Sequence, residues 1–496
     1  MNLHTLVDGL FNGKNIPNLE IDQLTEDSRS ADDSSVFVCV CGASVDGHDY
    51  APMAYRNGCR VFVAQKPLDL PSDATVLLTD NTRKTLATLA CRFYGHPSKS
   101  MRLFGITGTK GKTTVAHLIT HLCCLSGIPC GYIGTNGIDF GTVHKETKNT
   151  TPDAVTLQKT LAEMVKSGMQ AAVLEVSSQA LAQYRADGIA FETLLFTNLA
   201  LDHIGTGEHA DFEDYQACKK RLFTDFPAKN IVYWADDHHA SNIIDSAICT
   251  NRIACSCVDP SAACILKKVL PIKENGFHGI SFSLRYNDGE FYGTLPLIGN
   301  INAQNAALAV TAVNTTFSVP HDTLMEALRI ANVPGRSEQY RLPNGATVCI
   351  DYAHNAFSLQ NLLLSIQAYA PRRLFVLFGS VGGRTQLRRL EMGKVAARFA
   401  DGAILTSDNP VHESPEQIIE DIAQGFEGTT TPYWKIPDRK TAIRFALEQL
   451  LEGDFLVLAG KGHETYQLIR NEKMYFSEKE IVKDYMKQQT KETVFG

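Results

Sequence analysis

Residues 105–114 read GITGTKGKTT and continue an apolar run, MRLFGITG, that starts at Met101. The strict phosphate-loop pattern G-x-x-x-x-G-K-[ST] needs glycine at position 106, which is isoleucine; glycines stand instead at 105, 108 and 111. The working parts are nevertheless in order. An apolar strand leads into a glycine turn, and a helical stretch runs from Lys112 to Ser126 with Gly127 as its stop. Backbone N–H groups at such a helix start cradle phosphate oxygens, helped by the helix dipole. Lys112 would reach the outer phosphates, and the Thr113 hydroxyl suits Mg²⁺. A tight turn that merely needs glycine is the plain alternative, but a strand before it and G-K-T-T after it favour nucleotide binding.

Working outward, PCGYIG, a helix opening at Thr151-Pro152-Asp153 and the buried-type strand AAVLEV follow in alternation. That order indicates an α/β fold with a mainly parallel, doubly wound sheet around the loop. Residues 229 to 298 read as more strand-rich. Before the loop, SSVFVCVCG and CRVFVAQ read as short strands with a helical APMAYRNG between them, and YGHPSKS reads as a linker. From about residue 333, apolar strands at RRLFVLFG, GAILTSDN and DFLVLAGKG each end in a polar, glycine-bearing turn. Parallel sheets bind ligands beyond the carboxyl ends of their strands, so a site is expected there. Three domains are expected: 1–98, 99–333 as a central P-loop ATPase, and 334–496 as a Rossmann-like α/β domain.

The composition fits this. A chain of 496 residues suggests about three domains at roughly 150 residues each. Hydrophobic residues make up 44% and charged residues 20%, enough to build large cores. Net charge is −7 and Lys and Arg form no block, which argues against nucleic acid as a partner. No apolar run approaches the roughly 20 residues of a membrane span. Thirteen cysteines, an odd number without a secretory segment, fit free thiols in a reducing cytoplasm. Cys249, Cys255, Cys257 and Cys264 near His238 and His239 match no familiar metal-knuckle spacing.

The variant loop T-G-T-K-G-K-T-T resembles that of the Mur ligase family, and motifs along most of the chain support the likeness. These include EDSR (26–29), DGHDY (46–50), NTTPD (149–153), LEVSSQAL (174–181), TNLALDH (197–203), YQACK (215–219), PGR (334–336), DYAHN (351–355), DNP (408–410) and GKGHE (460–464). The related folylpolyglutamate synthases carry a loop ending G-K-G-S, so Thr113 and Thr114 favour the Mur branch. The resemblance implies an ATP-dependent ligase that adds an amino acid to UDP-MurNAc-L-Ala-D-Glu through an acyl phosphate, with Mg²⁺. It places ATP at Gly108, Thr109, Lys110, Gly111, Lys112, Thr113 and Thr114, with Asn302, Arg336, Asp351 and His354 from further along the chain. Glu175, His203 and a carbamylated Lys219 join Thr113 as metal-region residues; Lys112, Glu175, His203 and Lys219 are the expected catalytic set. Tyr215 and Lys219 are four apart and share a helical face, whereas Lys220 points elsewhere. Ser28 and His48 look like uridine-diphosphate contacts, and Thr150, Thr151, Ser177, Gln183 and Arg185 resemble the set that grips the muramoyl-dipeptide.

For the amino acid, the resemblance points to Arg384, Asp408, Asn409, Gly460 and Glu464. Members that take meso-diaminopimelate usually continue DNP with an arginine for the distal carboxylate. Here Val411 follows, and leaving a buried carboxylate unpaired would cost several kcal/mol on the rough scale for a lost charged partner. This favours L-lysine over meso-diaminopimelate or L-ornithine. Arg388 or Arg389 could supply the missing cation from another direction, and SVGGRTQLRRLEMG departs from the family pattern around Arg384. Two rival readings are a ligase for another carboxylate such as folate, and a nucleotide-dependent switch module.

Overall fold

The computed structural model describes residues 1–11, 16–42, 45–202, 204–205, 208–274, 276–286, 289–383 and 385–495. It divides into two compact units: Met1–Ile265 with Ala307–Leu324, and Leu266–Ala306 with Met325–Gly496.

In the first unit, strands Gln23–Thr25, Ser35–Val38, Val61–Ala64 and Thr75–Leu78 form a four-stranded parallel sheet in chain order. Val36, Val38, Val61 and Val63 enter one core, while Phe37 and Phe62 enter another. Both faces are therefore covered, which is why these strands read as unbroken apolar runs rather than alternating ones. The expected APMAYRNG helix is Ala51–Arg56. YGHPSKS is not a loose linker: Pro97–Ser100 form a short 3-10 turn, Pro97 and Ser98 are buried, and Ser98 Oγ accepts from the Ala190 N–H at 3.1 Å.

A second sheet of the same unit runs Cys249–Ser256, Ala228–Trp234, Thr193–Phe196, Arg102–Thr107, Ala171–Glu175, Cys130–Gly134, Gly137–Phe140 and Val143–Lys145. Its first six strands are parallel and the last two turn back antiparallel. The Arg102–Thr107 strand is thus central, and its loop opens beside the ends of two neighbours. Gly105 lies inside this strand because a Cβ there would meet the Phe191 ring at 2.7 Å. The helix before AAVLEV starts later than read: Asp153 is the cap, accepting from the Thr156 N–H at 2.8 Å, and Pro152 stands outside Ala154–Lys166.

The second unit holds a six-stranded sheet ordered Glu338–Arg341, Thr347–Asp351, Phe455–Ala459, Leu374–Phe378, Gly402–Leu405 and Tyr433–Lys435, parallel except for the first. Phe455, Val457, Val376 and Phe378 face one core, and Leu456, Leu458, Phe375 and Leu377 the other. A hairpin, Tyr466–Ile469 with Glu472–Tyr475, follows GKGHE. The strand-rich stretch before it contains the antiparallel pair Phe277–Tyr286 and Gly289–Leu295. No helix among the described residues is long and apolar enough to cross a membrane.

Candidate active site

The 105–114 turn is built from both sides. Gly108 has φ +149°, and a Cβ there would lie 1.9 Å from Thr197 Oγ1, so only glycine fits. Gly111, at φ +87°, caps the Lys112–Leu125 helix in the left-handed region. The segment after the Thr193–Phe196 strand holds the turn in place. Thr109 N–H donates to the Asn198 carbonyl at 2.8 Å, Lys110 N–H to Asn198 Oδ1 at 2.9 Å, and Thr197 Oγ1 to the Lys110 carbonyl at 2.7 Å. Lys110 also pairs with Asp202 at 2.9 Å. TNLALDH therefore works as the clamp on the loop. Its last residue, His203, lies outside the described residues.

Lys112 Nζ folds back onto the turn, donating to the Gly108 carbonyl at 2.8 Å and the Thr109 carbonyl at 3.2 Å. Thr113 Oγ1 donates to Glu175 Oε2 at 2.9 Å. Glu175 is fully buried at the end of its strand and accepts as well from Tyr132 Oη at 2.6 Å and the Thr135 N–H at 3.0 Å. Such a carboxylate needs those donors, because an unpaired buried charge is costly. Gly134 leaves it room: a Cβ there would sit 2.2 Å from Glu175 Oε1. Thr114, next along the helix, is buried.

Lys219 enters from the Phe212–Thr224 helix, buried to 1% exposure, and donates to the same Gly108 carbonyl at 2.9 Å. Its Nζ lies 4.5 Å from the centre of the Tyr215 ring, and Tyr215 Oη is 3.1 Å from Thr109 Oγ1. Lys220 points instead to Asn242 at the surface. Burial, and then the nearby Lys112, holds the Lys219 pKa well below the ordinary lysine value. Its nitrogen therefore gives up its proton more readily than that of an exposed lysine.

The dipeptide candidates gather on the next strand end. Thr151 Oγ1 donates to the Glu175 carbonyl at 2.8 Å and accepts from the Ser177 N–H at 3.0 Å. Thr150 Oγ1 is 3.1 Å from Thr135 Oγ1. Arg185 is gripped by Gln183 Oε1 at 2.6 Å and the Thr151 carbonyl at 3.0 Å, and burial followed by Arg83 lowers its pKa. Ser28 and His48 sit in the first sheet's region, both buried. His48 Nε2 accepts from the Gln65 N–H at 2.9 Å, so Nδ1 carries the proton it shares with Asp46 at 2.6 Å. Both ring nitrogens are thereby occupied.

In the second unit the candidates lie at the carboxyl ends of parallel strands. Asp351 ends its strand and accepts from the N–H groups of Ser337 and Ala353, each at 2.8 Å, and burial raises its pKa. Arg336 stacks 4.7 Å over the Tyr352 ring, and His354 Nδ1 donates to the Tyr352 carbonyl at 2.8 Å. PGR and GKGHE come into direct contact: a Cβ on Gly335 would lie 2.1 Å from the His463 nitrogen. Asp408 and Asn409 are buried beside Glu464, with Asn409 Nδ2 donating to Glu464 Oε2 at 3.2 Å. Gly460, at φ +110°, leaves 2.9 Å between a would-be Cβ and Asp408 Oδ2. Asn302 stands near the start of the Asn300–Phe317 helix, tied to the Ile298 carbonyl at 2.8 Å. Arg384 lies outside the described residues. Of the two cations considered as substitutes, Arg389 is buried and bridged to Glu413 and Asp421, each at 2.8 Å, while Arg388 donates to the His354 carbonyl.

Several supporting groups carried no sequence signal. Tyr132, Thr135, Asn198 and Asp202 belong to no motif with a known mechanism, and only their placement reveals them. TNLALDH contained two of them, so the polar residues flanking its apolar LAL after a strand were the available hint.

A lysine and threonine at a glycine-turned helix start, beside a buried carboxylate on the adjacent parallel strand, define a P-loop nucleotide-binding α/β enzyme. Family models match in succession along the chain: the Mur ligase family catalytic domain over residues 20–94, the Mur ligase middle domain over 106–313, and the Mur ligase glutamate ligase domain over 335–462. A Bacillus cereus protein named UDP-N-acetylmuramoyl-L-alanyl-D-glutamate--2,6-diaminopimelate ligase is 37% identical over 494 residues, 98% of each chain. A Bacillus velezensis protein of the same name is 37% identical over 93% of each. A solved structure bearing that name superposes with TM-score 0.72 at 28% identity over 99% of both chains. The chain belongs to the Mur ligase family, whose members are ATP-dependent ligases that form amide bonds.

Proposed function

We propose that this chain joins a diamino acid to the D-glutamyl carboxylate of UDP-MurNAc-L-Ala-D-Glu in the cytoplasm, consuming ATP. The observation that carries this reading is the convergence of Lys112, Thr113, Glu175 and Lys219 on one turn, in a chain that matches end to end ligases named for that substrate.

A carboxylate resists amine attack because it would have to expel oxide. Its oxygen instead attacks the terminal phosphorus of ATP, ADP leaves, and an acyl phosphate forms. The neutral amine then attacks the acyl carbon and phosphate departs from the tetrahedral intermediate. Negative charge gathers on oxygen in both steps, so cations and N–H dipoles fixed nearby lower both barriers. The amides of residues 108–114 cradle the phosphates, and Lys112 exchanges its two carbonyl partners for their outer oxygens. Thr113 Oγ1 and the Glu175 carboxylate, 2.9 Å apart, are hard oxygen donors that fit Mg²⁺. Bound there, the ion would neutralise phosphate charge. Lys219 serves as an anion: its uncharged nitrogen attacks CO₂, a C–N bond forms, a proton passes to solvent, and the resulting carbamate suits a second divalent ion.

Ser28 and the His48 region take the uridine diphosphate, with Thr150, Thr151, Ser177, Gln183 and Arg185 on the muramoyl-dipeptide. Asn302, Arg336, Asp351 and His354 serve ATP, and Asp408, Asn409, Gly460 and Glu464 the amino acid. On this reading residues 1–98, 99–333 and 334–496 divide the three tasks. L-Lysine is the favoured amino acid, since Val411 has no donor and Arg389 is already neutralised by two carboxylates. Meso-diaminopimelate is the second reading, favoured by the names of the relatives. Phosphate release measured with each amino acid tests both. Release that needs the UDP-linked dipeptide and lysine supports the first, release with diaminopimelate alone the second. Release with folate but not the dipeptide contradicts both.

A further inference from the structure

Gln183 and Arg185 stand two apart in the chain, and on a helix such residues would face different ways. Here they meet. Arg185 donates to Gln183 Oε1 through Nη2 at 2.6 Å and through Nε at 3.1 Å, while Nη1 reaches the Thr151 carbonyl at 3.0 Å. The remaining N–H donors of this fork suit an anionic oxygen. The residue between the two explains how they come together. Tyr184 has φ +57°, in the left-handed region that a bulky side chain rarely adopts, and the chain turns there just after the Ser178–Ala182 helix. A backbone of that kind persists only where its surroundings hold it.

Arg221 supplies the hold. It projects from the Phe212–Thr224 helix with its side chain only 26% exposed. Nη1 donates to the Leu181 carbonyl at 2.6 Å, and the same carbonyl accepts the Tyr184 N–H at 3.1 Å. The guanidinium carbon lies 4.6 Å from the centre of the Tyr184 ring, within reach of its π face. Nε donates to Asp225 Oδ2 at 2.8 Å, one helical turn further on, which aims the guanidinium. One planar group thus clamps both the backbone turn and the ring of Tyr184. We propose that Arg221 is a positioning residue for the UDP-linked dipeptide: by locking the left-handed turn at Tyr184 it presents Gln183 and Arg185 as one preformed fork. Without it the turn relaxes, and the ligand must order the fork at a cost in affinity. This rests on the reading that Gln183 and Arg185 grip the muramoyl-dipeptide.

The test measures binding of UDP-MurNAc-L-Ala-D-Glu to the full-length protein by titration calorimetry without ATP, alongside phosphate release. Arg221→Met should weaken that Kd about tenfold, with the KM values for ATP and the amino acid, and kcat at saturating dipeptide, within about twofold of the parent. Glycine takes the left-handed conformation unaided, so in a Tyr184→Gly background the same Arg221→Met change should cost about threefold or less. An unchanged Kd, a tenfold loss in both backgrounds, or all three substrates weakening together overturns the assignment. Should Arg221→Met not fold, Arg221→Lys decides, because it keeps the charge but not the planar fork. Its Kd should rise about threefold or more, and a parent-like value overturns the proposal. A parent that does not bind the UDP-linked dipeptide defeats the proposed function itself. A parent that binds it, with an indifferent Arg221→Met, defeats only the role of Arg221.

Discussion

Replacing Val411 by arginine should move the enzyme toward diaminopimelate, and the size of the effect follows from how position 411 is held. Its N–H donates to the Leu468 carbonyl at 3.0 Å, and its own carbonyl accepts from the Arg470 N–H at 2.6 Å. The backbone is pinned from both directions, so the new side chain leaves along the direction the valine takes now. That backbone has φ +59°, which is unfavourable for a β-branched residue by about 1–2 kcal/mol, and arginine is no worse there. Folding stability should therefore hold or rise slightly. A guanidinium facing a distal carboxylate adds charge-assisted hydrogen bonds worth about 1.5–3 kcal/mol, or roughly 10–150-fold in kcat/KM. The assay is phosphate release with L-lysine and meso-diaminopimelate in parallel, reported as the ratio of kcat/KM. A ratio shifted tenfold or more toward diaminopimelate, on the lower bound of about 1.5 kcal/mol, supports the reasoning. A folded Val411→Arg with an unchanged ratio refutes it.

Other perturbations test other parts of the site. Gly108→Ala forces a Cβ onto Thr197 Oγ1 and a φ that alanine avoids, so it should raise the KM for ATP while melting temperature falls only modestly; equal KM values would contradict the close fit. Lys219→Ala should abolish any stimulation of turnover by bicarbonate. In the parent that stimulation should fade as acidification protonates the amine, and, because the lysine pKa is lowered, it should do so at lower pH than for an exposed lysine. The same lowering makes the buried amine a destabilising element below its folded pKa, one relieved as pH rises toward the unfolded value. Arg439→Met should cost about 3–5 kcal/mol in urea denaturation by leaving Glu478 buried and unpaired, and adding Glu478→Leu should recover much of it.

The chain announced its fold through runs such as FVLF and FLVLA, whose unbroken apolar character follows from sheets covered on both faces. It announced the site through GTKGKTT, because glycine, lysine and threonine there answer to backbone and phosphate chemistry at fixed offsets. Spacing could not reveal that TNLALDH clamps the loop through Asn198 and Asp202, since hydrogen bonds between separate strand ends leave no periodic trace. Nor could it show that Arg389 is already paired, because Glu413 and Asp421 lie more than twenty residues along and reach it only in the fold. Asp153 displaced Pro152 as part of the helix start because its carboxylate can accept the Thr156 N–H, a choice that local preference alone left open.

The central claim is that the 105–114 turn holds ATP while its terminal phosphoryl group moves onto the D-glutamyl carboxylate. Supplying UDP-MurNAc-L-Ala-D-Glu labelled with ¹⁸O in that carboxylate, and weighing the phosphate released during turnover, tests it directly. An acyl phosphate passes one labelled oxygen to each phosphate. Phosphate released without label would mean that water, not the carboxylate, took the phosphoryl group.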